Sequence, residues 1–556
     1  MKRALPIGTS DFSEIITKNY AYVDKTLFIK ELIDGNIKAT LIPRPRRFGK
    51  TLNLSMLKCF FENHAQSKRH LFDGLSVSKY PEIMAHQGQH PVIFVTFKDV
   101  KVSTWEDCYT KIKGIITREI ERHPKIVDHL TTSEKREIQE IIANTATKDT
   151  YENSLLTLSH GLHTCYQKKV ILLIDEYDTF IHEAYLNGYY DRAIEFARNF
   201  FSAGLKDNIH LERSVITGIL RIAKESIFTG LNNFEVCTLL DQHYADTFGF
   251  LETDVQALLT EYNLLHELDA VRAWYNGYAS GNCHVYNPWS ILQFIRNTGT
   301  FNTYWINTSK NDLVKLLIGH SGTTFKEDFE SLIAGKTLVV TLEESIVFSA
   351  LEQRAAALWT FLIATGYLTF IRWWQEEGIV RAELAIPNIE VTALYKTIIM
   401  QWFADVVDLG TYQRMLQRLV LGDIEEFRER FVNLVPRILS TFDISGTEPE
   451  NFYHALVLGM FVSLEKTHEI KSNRESGYGR YDVMLIPKDM TKPGIIIEFK
   501  KVSQLKKETL ETAALAALKQ IADRDYAAEL RTRGITHIIA LAIVFEGKKV
   551  LVQGSA

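Results

Sequence analysis

One uninterrupted apolar run constrains the fold of this chain more than any other feature. Residues Val170–Ile174 are all branched and apolar, and they run directly into Asp175 and Glu176. A strand that is apolar on both faces has to be covered on both faces, as a central strand of a parallel α/β sheet is. The two carboxylates are therefore expected at the carboxyl edge of such a sheet, where open α/β folds bind their ligands.

Further apolar runs predict the rest of that sheet. The expected strands are Ala39–Pro43, Pro91–Phe97, Lys169–Asp175 and Arg213–Ile219, and longer amphipathic stretches separate them. This alternation is typical of parallel strands joined by crossover helices. We therefore expect an α/β fold in which residues 1–247 form a parallel sheet with helices on its faces.

The remaining chain changes in character three times. Residues 248–315 combine helical periodicity with aromatic clusters, which predicts a small helical lid whose rings belong to the core. Residues 316–440 have amphipathic helical periodicity and no chemical cluster, and we expect a helical connector there. Residues 441–556 alternate strands with a helix, which predicts a small α+β domain.

Composition narrows the choice of compartment and partner. A chain of 556 residues with 46% hydrophobic and 24% charged residues has the composition of ordinary globular domains. Its formal net charge of −5 gives no overall basic field, so any contact with nucleic acid has to come from a local patch. The five cysteines form no CxxC pair, and neither a signal peptide nor a membrane span is evident. We therefore expect a cytoplasmic protein that makes no membrane contact.

The segment after the first expected strand has the residue types of a phosphate-binding loop. Ala39–Pro43 is followed by Arg44-Pro45-Arg46-Arg47-Phe48-Gly49-Lys50-Thr51 and then by a helical stretch. In such a loop, main-chain amides and a helix N-terminus face the phosphates, a lysine neutralises their charge and a hydroxyl binds Mg²⁺. The residues expected to bind nucleotide are Arg46, Arg47, Phe48, Gly49, Lys50 and Thr51, with Thr51 as a metal ligand. Because Arg44 replaces the first glycine of the GxxxxGK(S/T) pattern, a basic loop before a helix explains this segment equally well when it is taken alone.

The acidic pair after Val170–Ile174 supplies the complementary half of an ATP site. Asp175 is expected to hold Mg²⁺, and Glu176 is expected to polarise the attacking water as a catalytic residue. An alternative is a buried strand that ends in a solvated acidic turn, which includes Asp178. The occurrence of both motifs in one chain favours ATP and Mg²⁺ as the bound cofactors.

The next expected strand adds two candidates for the same site. Thr217 lies near its end, and Arg221 follows it. Since the ligands of open sheets lie at the carboxyl ends of strands, Thr217 is a candidate sensor of the γ-phosphate or of water. For the same reason Arg221 is a candidate charge stabiliser. A capping threonine and a surface arginine explain the two residues at least as well.

A second acidic constellation lies near the C-terminus. Asp482 lies in one expected strand, and Glu498 and Lys500 share a face of the next. Two carboxylates and a main-chain carbonyl suit octahedral Mg²⁺, so Asp482 and Glu498 are expected to be metal ligands. Lys500 is expected to position the nucleophile or to stabilise charge, and Gln520 on the following helix is a further catalytic candidate. A solvated hairpin is the alternative when this pattern is taken alone.

These segments together resemble those of a known family. The resemblance is to bacterial AAA-ATPase-like proteins in which the ATPase is followed by a PD-(D/E)XK nuclease-superfamily domain. It rests on residues 22–26, 44–51, 174–178, 218–224, 274–278 and 286–289 and covers nearly the whole chain. An Arg-Pro-Arg-Arg-Phe-Gly-Lys loop is what that family has, which removes the objection raised by Arg44. The resemblance implies a P-loop NTPase core with a helical lid and connector, nucleotide binding and hydrolysis, and a restriction-endonuclease-like fold at the C-terminus.

The expected activity couples the two sites. We expect an ATP-hydrolysing protein whose nucleotide state controls a Mg²⁺-dependent phosphodiesterase that acts on DNA or RNA, and by analogy with the family its role is defence against foreign genetic elements. The local basic cluster for such a substrate, or else a solvated helix start, is Lys500, Lys501, Lys506 and Lys507. Two alternatives stay open: a signalling or scaffold ATPase that binds a protein and has a catalytically silent nuclease fold, and nucleotide binding with negligible turnover. A homo-oligomer in which a neighbouring subunit supplies an arginine is compatible with each hypothesis.

Overall fold

Two units divide the chain in this computed structural model. The first comprises Met1–His320 and Thr337–Val391, and the second comprises Ser321–Lys336 and Thr392–Ala556. The residues that the structure describes are 2–63, 66–222, 234–305, 323–333, 335–343, 351, 354–395, 397, 409–441, 461, 464, 467–476, 479–502 and 508–555. Among these residues, no helix is both long enough and apolar enough to cross a membrane.

Helices and strands alternate through the first three hundred or so residues, as the sequence predicts. In chain order the elements are α1 (Phe12–Thr17), α2 (Leu27–Gly35), β1 (Ala39–Pro43), α3 (Lys50–Phe61), α4 (Pro81–Met84), β2 (Val92–Thr96), α5 (Trp105–Glu121), α6 (Thr132–Ile142), α7 (Lys148–Tyr166), β3 (Val170–Asp175), α8 (Thr179–Asn187), α9 (Tyr190–Leu205), β4 (Leu211–Gly218), β5 (Phe234–Val236), α10 (Glu252–Glu261), α11 (Leu268–Tyr275), β6 (Tyr278–Ser280), β7 (Cys283–Val285), α12 (Pro288–Arg296) and, in the second unit, α13 (Thr323–Ile333). Short 3₁₀ turns occur at Arg69–Phe72, Ser76–Lys79, Pro124–His129 and Leu265–Glu267.

Strands β1 to β5 form one parallel sheet in the order β2-β3-β4-β1-β5. Every residue of β1 and β3 is buried, which is what a strand covered on both faces requires. This confirms the α/β fold class and the central strand that the apolar run predicts. Because β4 lies between β1 and β3, the loops that follow these three strands meet at one edge of the sheet.

The region after the sheet has an aromatic core. Helices α10, α11 and α12 contribute to a cluster in which Tyr275, Tyr286 and Phe294 are fully buried. Strands β6 and β7, which lie between α11 and α12 in the sequence, form a short antiparallel pair. Tyr278 and Trp305 are buried as well. The aromatic residues of this region therefore serve as core, as the sequence predicts.

One part of the expected helical connector forms a sheet. Strands β8 (Leu338–Thr341), β9 (Thr369–Glu376) and β10 (Ile379–Ala385) pair antiparallel in the order β8-β10-β9, with α14 (Ala355–Ala364) between β8 and β9 in the chain. The expectation of a helical connector over residues 316–440 is wrong for these strands. Glu377 and Gly378 both have positive φ, which makes the two-residue turn that joins β9 to β10. Most residues of β9 are exposed, so β9 lacks the alternation of a half-buried strand, whereas β10 has it, with Val380, Ala382 and Leu384 buried between less buried neighbours.

The second unit is a mixed sheet with helices. After α13 it contains α15 (Leu409–Val420), α16 (Ile424–Thr441), β11 (His468–Ser476), β12 (Gly479–Pro487), β13 (Gly494–Lys501), α17 (Leu510–Asp523), α18 (Ala528–Thr532), β14 (Ile538–Glu546) and β15 (Lys549–Gly554). The strand order is β11-β12-β13-β14-β15, and β13 and β14 are parallel while the other neighbours are antiparallel. The expected α+β class is confirmed. The sequence does not predict β11, because polar residues make up nearly all of it.

Apolar clusters cover both faces of this mixed sheet. On one face Val483 and Ile497 belong to a core that includes residues of α15 and α16. On the other face Ile496 belongs to a core that includes Ile521 of α17. Since side chains alternate along a strand, the residue after Ile497 on β13 faces α17.

Candidate functional site

A tight loop joins β1 to α3. Gly49 is the N-cap residue of α3 and has a φ of +87°, and Arg47 has a φ of +68°. No atom lies within 4 Å of the position that a Cβ at Gly49 would take, so the backbone conformation, not a lack of space, favours glycine there. The loop has the predicted strand, loop and helix order, and it presents the amides at the N-terminus of α3, which form an anion-binding element.

Asp175 is the centre of a network of threonine hydroxyls. Thr51 Oγ1 donates to Asp175 Oδ2 at 2.9 Å, and Thr96 Oγ1 donates to the same oxygen at 3.2 Å. Thr217 Oγ1 donates to Asp175 Oδ1 at 2.9 Å. Because Asp175 is fully buried, these hydroxyls replace the hydrogen bonds that water would otherwise make. Thr96 is not among the residues predicted from the sequence, although it ends the neighbouring strand β2 at the same edge of the sheet.

Lys50 lies beside the acidic residues that follow β3. Its ammonium group donates to two main-chain oxygens of its own loop, at 2.8 and 2.9 Å. Burial lowers the pKa of Lys50, and the charges of Glu176, Asp178 and Asp175 act against this effect. Burial raises the pKa of Asp175, and the charge of Glu176 raises it further. In the structure, the charge of Lys50, the predicted phosphate-binding lysine, and that of Asp175, the predicted metal ligand, therefore act on each other.

Arg44 has a structural role at the position of the first glycine. Its guanidinium is buried and donates to the main-chain oxygens of Pro43 at 2.9 Å, of Cys237 at 2.7 Å and of Tyr244 at 3.3 Å. It also lies 5.4 Å from the ring centroid of Phe248. Burial lowers the pKa of Arg44 to about 10, so the group stays charged at neutral pH. Arg44 therefore tethers the start of the loop to the segment after β5.

Aromatic side chains support the outer part of the loop. Each of the three residues before Gly49 contacts one of them: Trp305 Nε1 donates to Arg46 O at 3.2 Å, the Arg47 guanidinium lies 4.4 Å from the Trp289 ring centroid, and Phe48 packs edge-on against Tyr278 at a centroid distance of 5.1 Å. These contacts hold the loop in place through side chains of the region after the sheet. Nucleotide binding by Arg46, Arg47 and Phe48 stays a prediction.

Glu176 has a strained backbone. Its φ is +51°, in the left-handed region that residues with a side chain rarely adopt. The Thr179 N–H donates to Glu176 O at 3.1 Å, and Thr179 Oγ1 donates to Glu176 Oε2 at 3.0 Å. Such a conformation costs on the order of 1–3 kcal/mol and persists only where the surrounding structure fixes it. Strain of this kind is often found at functional sites.

The two residues after Glu176 bond to the segment that follows β4. Asp178 Oδ2 accepts the N–H groups of Ile219 and Leu220, both at 2.8 Å. The Tyr177 hydroxyl donates to Leu220 O at 2.7 Å and accepts the N–H of Ile222 at 3.1 Å. Asp178 is only 3% exposed, so the alternative of a solvated acidic turn is wrong for it. These contacts arise because β3 and β4 are neighbours in the sheet. The position of Asp178 three residues after Asp175 in the sequence does not predict them.

Thr217 and Arg221 lie in different surroundings. Thr217 is fully buried and donates to Asp175, and its role as a sensor stays a prediction. Arg221 lies beyond the end of β4, where it lines a cavity of about 350 Å³ together with Pro43, Val236 and Asp241. The role of Arg221 as a charge stabiliser stays a prediction.

In the second unit, Asp482 and Glu498 stand opposite one another on neighbouring strands. In the antiparallel register of β12 and β13, Val483 pairs with Ile497, so Asp482 and Glu498 occupy the next pair of positions. Asp482 Oδ2 accepts the N–H of Phe499 at 2.8 Å, which orients this carboxylate beside β13. Glu498 is only 2% exposed.

Gln520 of α17 completes this second site. Its amide group donates to Glu498 Oε1 and, at 3.2 Å, to the hydroxyl of Tyr526. Lys500 Nζ lies 3.6 Å from Glu498 Oε1. The structure therefore brings Glu498, Lys500 and Gln520 together as predicted and adds the hydroxyl of Tyr526. Of the local basic cluster, Lys506 and Lys507 lie outside the described residues.

Both sites offer the hard oxygen donors that Mg²⁺ prefers. In the first, the Thr51 hydroxyl and the Asp175 carboxylate lie within 2.9 Å of each other, and in the second Asp482 and Glu498 supply carboxylates from adjacent strands. No group of three or more His, Cys, Asp or Glu side chains in the described part of the chain is arranged to hold a metal.

Two family models match this chain. Residues 6–228 match the family described as predicted AAA-ATPase, and residues 448–554 match the PD-(D/E)XK nuclease superfamily. A protein of Azotobacter chroococcum mcd 1, described as "Uncharacterized protein in vnfD 5'region", is 27% identical over 546 residues, which are 96% of this chain and 95% of the relative. The first family match contains the loop after β1 and the acidic end of β3, and the second contains β11 to β15.

Proposed function

Since the chain carries an AAA-ATPase-like domain followed by a PD-(D/E)XK nuclease-superfamily domain, we propose that it binds and hydrolyses ATP at the edge of its parallel sheet. The nucleotide state in turn controls a Mg²⁺-dependent phosphodiesterase in the C-terminal domain, which acts on DNA or RNA. The observation that carries the proposal is the network in which Thr51 and Thr217 both bond to Asp175, with Lys50 alongside.

Each residue of the first site has a chemical role in this proposal. The ammonium group of Lys50 exchanges its main-chain partners for β- and γ-phosphate oxygens, while loop amides bond to the remaining oxygens. Thr51 and Asp175 supply oxygen ligands to Mg²⁺, which when bound neutralises phosphate charge. Glu176 orients the attacking water and accepts its proton, and Thr217 holds the carboxylate of Asp175 in place.

The second site has a similar division of roles. Asp482 and Glu498 supply carboxylate oxygens to Mg²⁺, which when bound activates water and neutralises charge on the scissile phosphate. Lys500 positions the nucleophile beside Glu498. Gln520 orients the Glu498 carboxylate, since its amide donates to one of the two carboxylate oxygens. We place this activity in the cytoplasm and, by family analogy, in defence against foreign genetic elements.

The ATPase half is tested by phosphate release from ATP and Mg²⁺. Lys50→Ala is expected to lose ATP binding and turnover, whereas Lys58→Ala on the same helix α3 is expected to keep both. Glu176→Gln is expected to bind ATP and to lose turnover. A Lys50→Ala variant that turns over at the wild-type rate contradicts the proposal. Negligible turnover in the wild type, unchanged in Glu176→Gln, favours an ATP-binding protein without hydrolysis.

The nuclease half is tested by cleavage of plasmid and of labelled DNA and RNA oligonucleotides with Mg²⁺. Reactions with ATP, with ADP and without nucleotide measure the coupling between the two domains. Glu498→Ala is expected to abolish cleavage, and Glu546→Ala at the exposed end of β14 is expected to preserve it. Full cleavage by Glu498→Ala contradicts the assigned site. Binding of nucleic acid without Mg²⁺-dependent cleavage, together with ATP turnover, favours the signalling or scaffold alternative.

A further inference from the structure

We infer that Tyr177 and Asp178 are positioning residues for Glu176: they clamp the turn after β3 to the segment after β4 and so aim the Glu176 carboxylate at the phosphate site. The inference rests on the proposed ATP hydrolysis and deepens it. Neither residue has a role in the chemistry predicted from the sequence. Both act through the backbone of Glu176.

The clamp consists of four hydrogen bonds between two short segments. Asp178 accepts two successive main-chain N–H groups with one carboxylate oxygen, both at 2.8 Å. Tyr177 uses its hydroxyl in both directions, as a donor to Leu220 O at 2.7 Å and as an acceptor from Ile222 N at 3.1 Å. Both side chains are buried, so water does not compete for these bonds.

The residues on each side of Glu176 are tied to different neighbouring strands. Asp175 O accepts the N–H of Phe97, which follows β2, at 3.0 Å, and the Tyr177 N–H donates to Thr217 O of β4 at 3.0 Å. Glu176 lies between these two fixed points with a φ of +51°. Its left-handed backbone therefore lies between two bonded residues, and the clamp adds its hydrogen bonds on the C-terminal side.

Gly218 shows how closely the clamp packs against β4. A Cβ at this position would lie 2.6 Å from Tyr177 Cε1 and 2.8 Å from Asp178 Oδ1. A real Cβ atom essentially never makes contacts this short, so only glycine fits at the end of β4 while Tyr177 and Asp178 keep their places. The turn after β3 and the end of β4 are therefore closely packed against each other.

The variant Tyr177→Phe removes both hydroxyl bonds and keeps the ring. Binding of ATP is expected to stay within about twofold of the wild type, because Lys50, Thr51 and the loop amides do not depend on the hydroxyl. Single-turnover hydrolysis is expected to fall by at least about tenfold, because displacement of a reacting group by a fraction of an ångström is costly. A loss confined to the chemical step is the mark of a positioning residue.

Tyr275→Phe is a matched control. Tyr275 is fully buried, and its hydroxyl also donates to a main-chain oxygen and accepts a main-chain N–H, in this case both of Asn302 at 3.0 and 3.1 Å. The control is expected to lose a similar amount of stability and to hydrolyse ATP at the wild-type rate. Equal slowing of Tyr177→Phe and Tyr275→Phe shows a loss of stability alone and overturns the inference.

Substitutions of Asp178 keep the test decisive if Tyr177→Phe folds poorly. Asp178→Asn retains one oxygen that can accept both N–H groups and is expected to keep most of the hydrolysis rate, whereas Asp178→Ala is expected to lose at least about tenfold. The inference is overturned if the two variants hydrolyse ATP equally fast. A wild type that binds ATP and does not hydrolyse it contradicts the proposed function itself. A wild type that hydrolyses ATP, with Tyr177→Phe as fast, contradicts only the clamp.

Discussion

The substitution Thr217→Val removes one hydroxyl from the Asp175 network and leaves the shape of the side chain nearly unchanged. Thr217 is fully buried, and its Oγ1 donates to Asp175 Oδ1 at 2.9 Å. A hydrogen bond to a charged group contributes about 1.5–3 kcal/mol, and no cavity forms because valine fills the same space. We therefore expect the free energy of unfolding to fall by about 1.5–3 kcal/mol. Hydrolysis of ATP is expected to fall with it, because the Asp175 carboxylate loses the donor that orients it.

Thr40→Val provides the comparison on the adjacent strand. Thr40 of β1 is also fully buried, and it lies beside Val215 of β4 in the sheet. Among the described residues, its hydroxyl has no hydrogen-bond partner. Removal of an unpaired buried hydroxyl costs nothing and relieves a desolvation penalty, so the free energy of unfolding is expected to stay the same or to rise.

Urea unfolding followed by circular dichroism measures both variants, and phosphate release measures their activity. The expected result is a lower unfolding midpoint and slower turnover for Thr217→Val, with neither change in Thr40→Val. If Thr217→Val is no less stable than Thr40→Val and hydrolyses ATP normally, the hydroxyl network around Asp175 does not have the role described.

Three further outcomes follow from single contacts. Arg44→Gly restores the glycine pattern of the loop. It is nevertheless expected to destabilise the protein by about 3 kcal/mol in thermal unfolding, because a charged donor with three main-chain partners is lost. A variant as stable as the wild type contradicts the structural role of Arg44. Burial lowers the pKa of His182 to about 3, so the folded chain resists a proton that the unfolded chain accepts below about pH 6.5. The free energy of unfolding should therefore fall by up to about 1.4 kcal/mol per pH unit between about pH 6.5 and 3. This slope is expected to be shallower in His182→Gln than in the exposed control His266→Gln, and equal slopes refute the prediction. Gln520→Leu removes the amide that donates to Glu498 and is expected to slow nucleic-acid cleavage by about tenfold without changing ATP turnover, and unchanged cleavage would show that Gln520 does not orient the carboxylate.

The fold was predictable where burial on both faces leaves a continuous apolar signal. The run Val170–Ile174 correctly predicted the central strand. The family resemblance, which includes the loop after Ala39–Pro43, and the fold class are confirmed as well. The sheet β8 to β10 was not predictable in the same way. Its strands lack a continuous apolar run, because most residues of β9 are exposed and those of β10 alternate between buried and less buried positions.

The contacts of the candidate site depend on which strands become neighbours, and no local pattern encodes that. Thr96 joins the Asp175 network because β2 lies beside β3, and Asp178 reaches its partners because β4 lies on the other side. Arg44 departs from the glycine pattern of the loop. The reason is visible only in the structure, where the segment after β5 accepts hydrogen bonds from Arg44. The residue types of the site were predictable from the sequence, whereas the hydrogen bonds of Arg44, Tyr177 and Asp178 became apparent only with the order of the strands in the sheet.

The most direct test of the shared nucleotide and metal site is the affinity for ATP with and without Mg²⁺, measured by isothermal titration calorimetry. In the wild type, Mg²⁺ is expected to tighten ATP binding by at least about tenfold, or about 1.4 kcal/mol. Asp175→Asn keeps the shape of the side chain and is expected to lose that gain, while it binds ATP without Mg²⁺ as well as the wild type does, through Lys50. A gain from Mg²⁺ that is the same in both proteins, or absent from the wild type, would contradict a site in which Lys50 and Asp175 hold one metal-bound nucleotide.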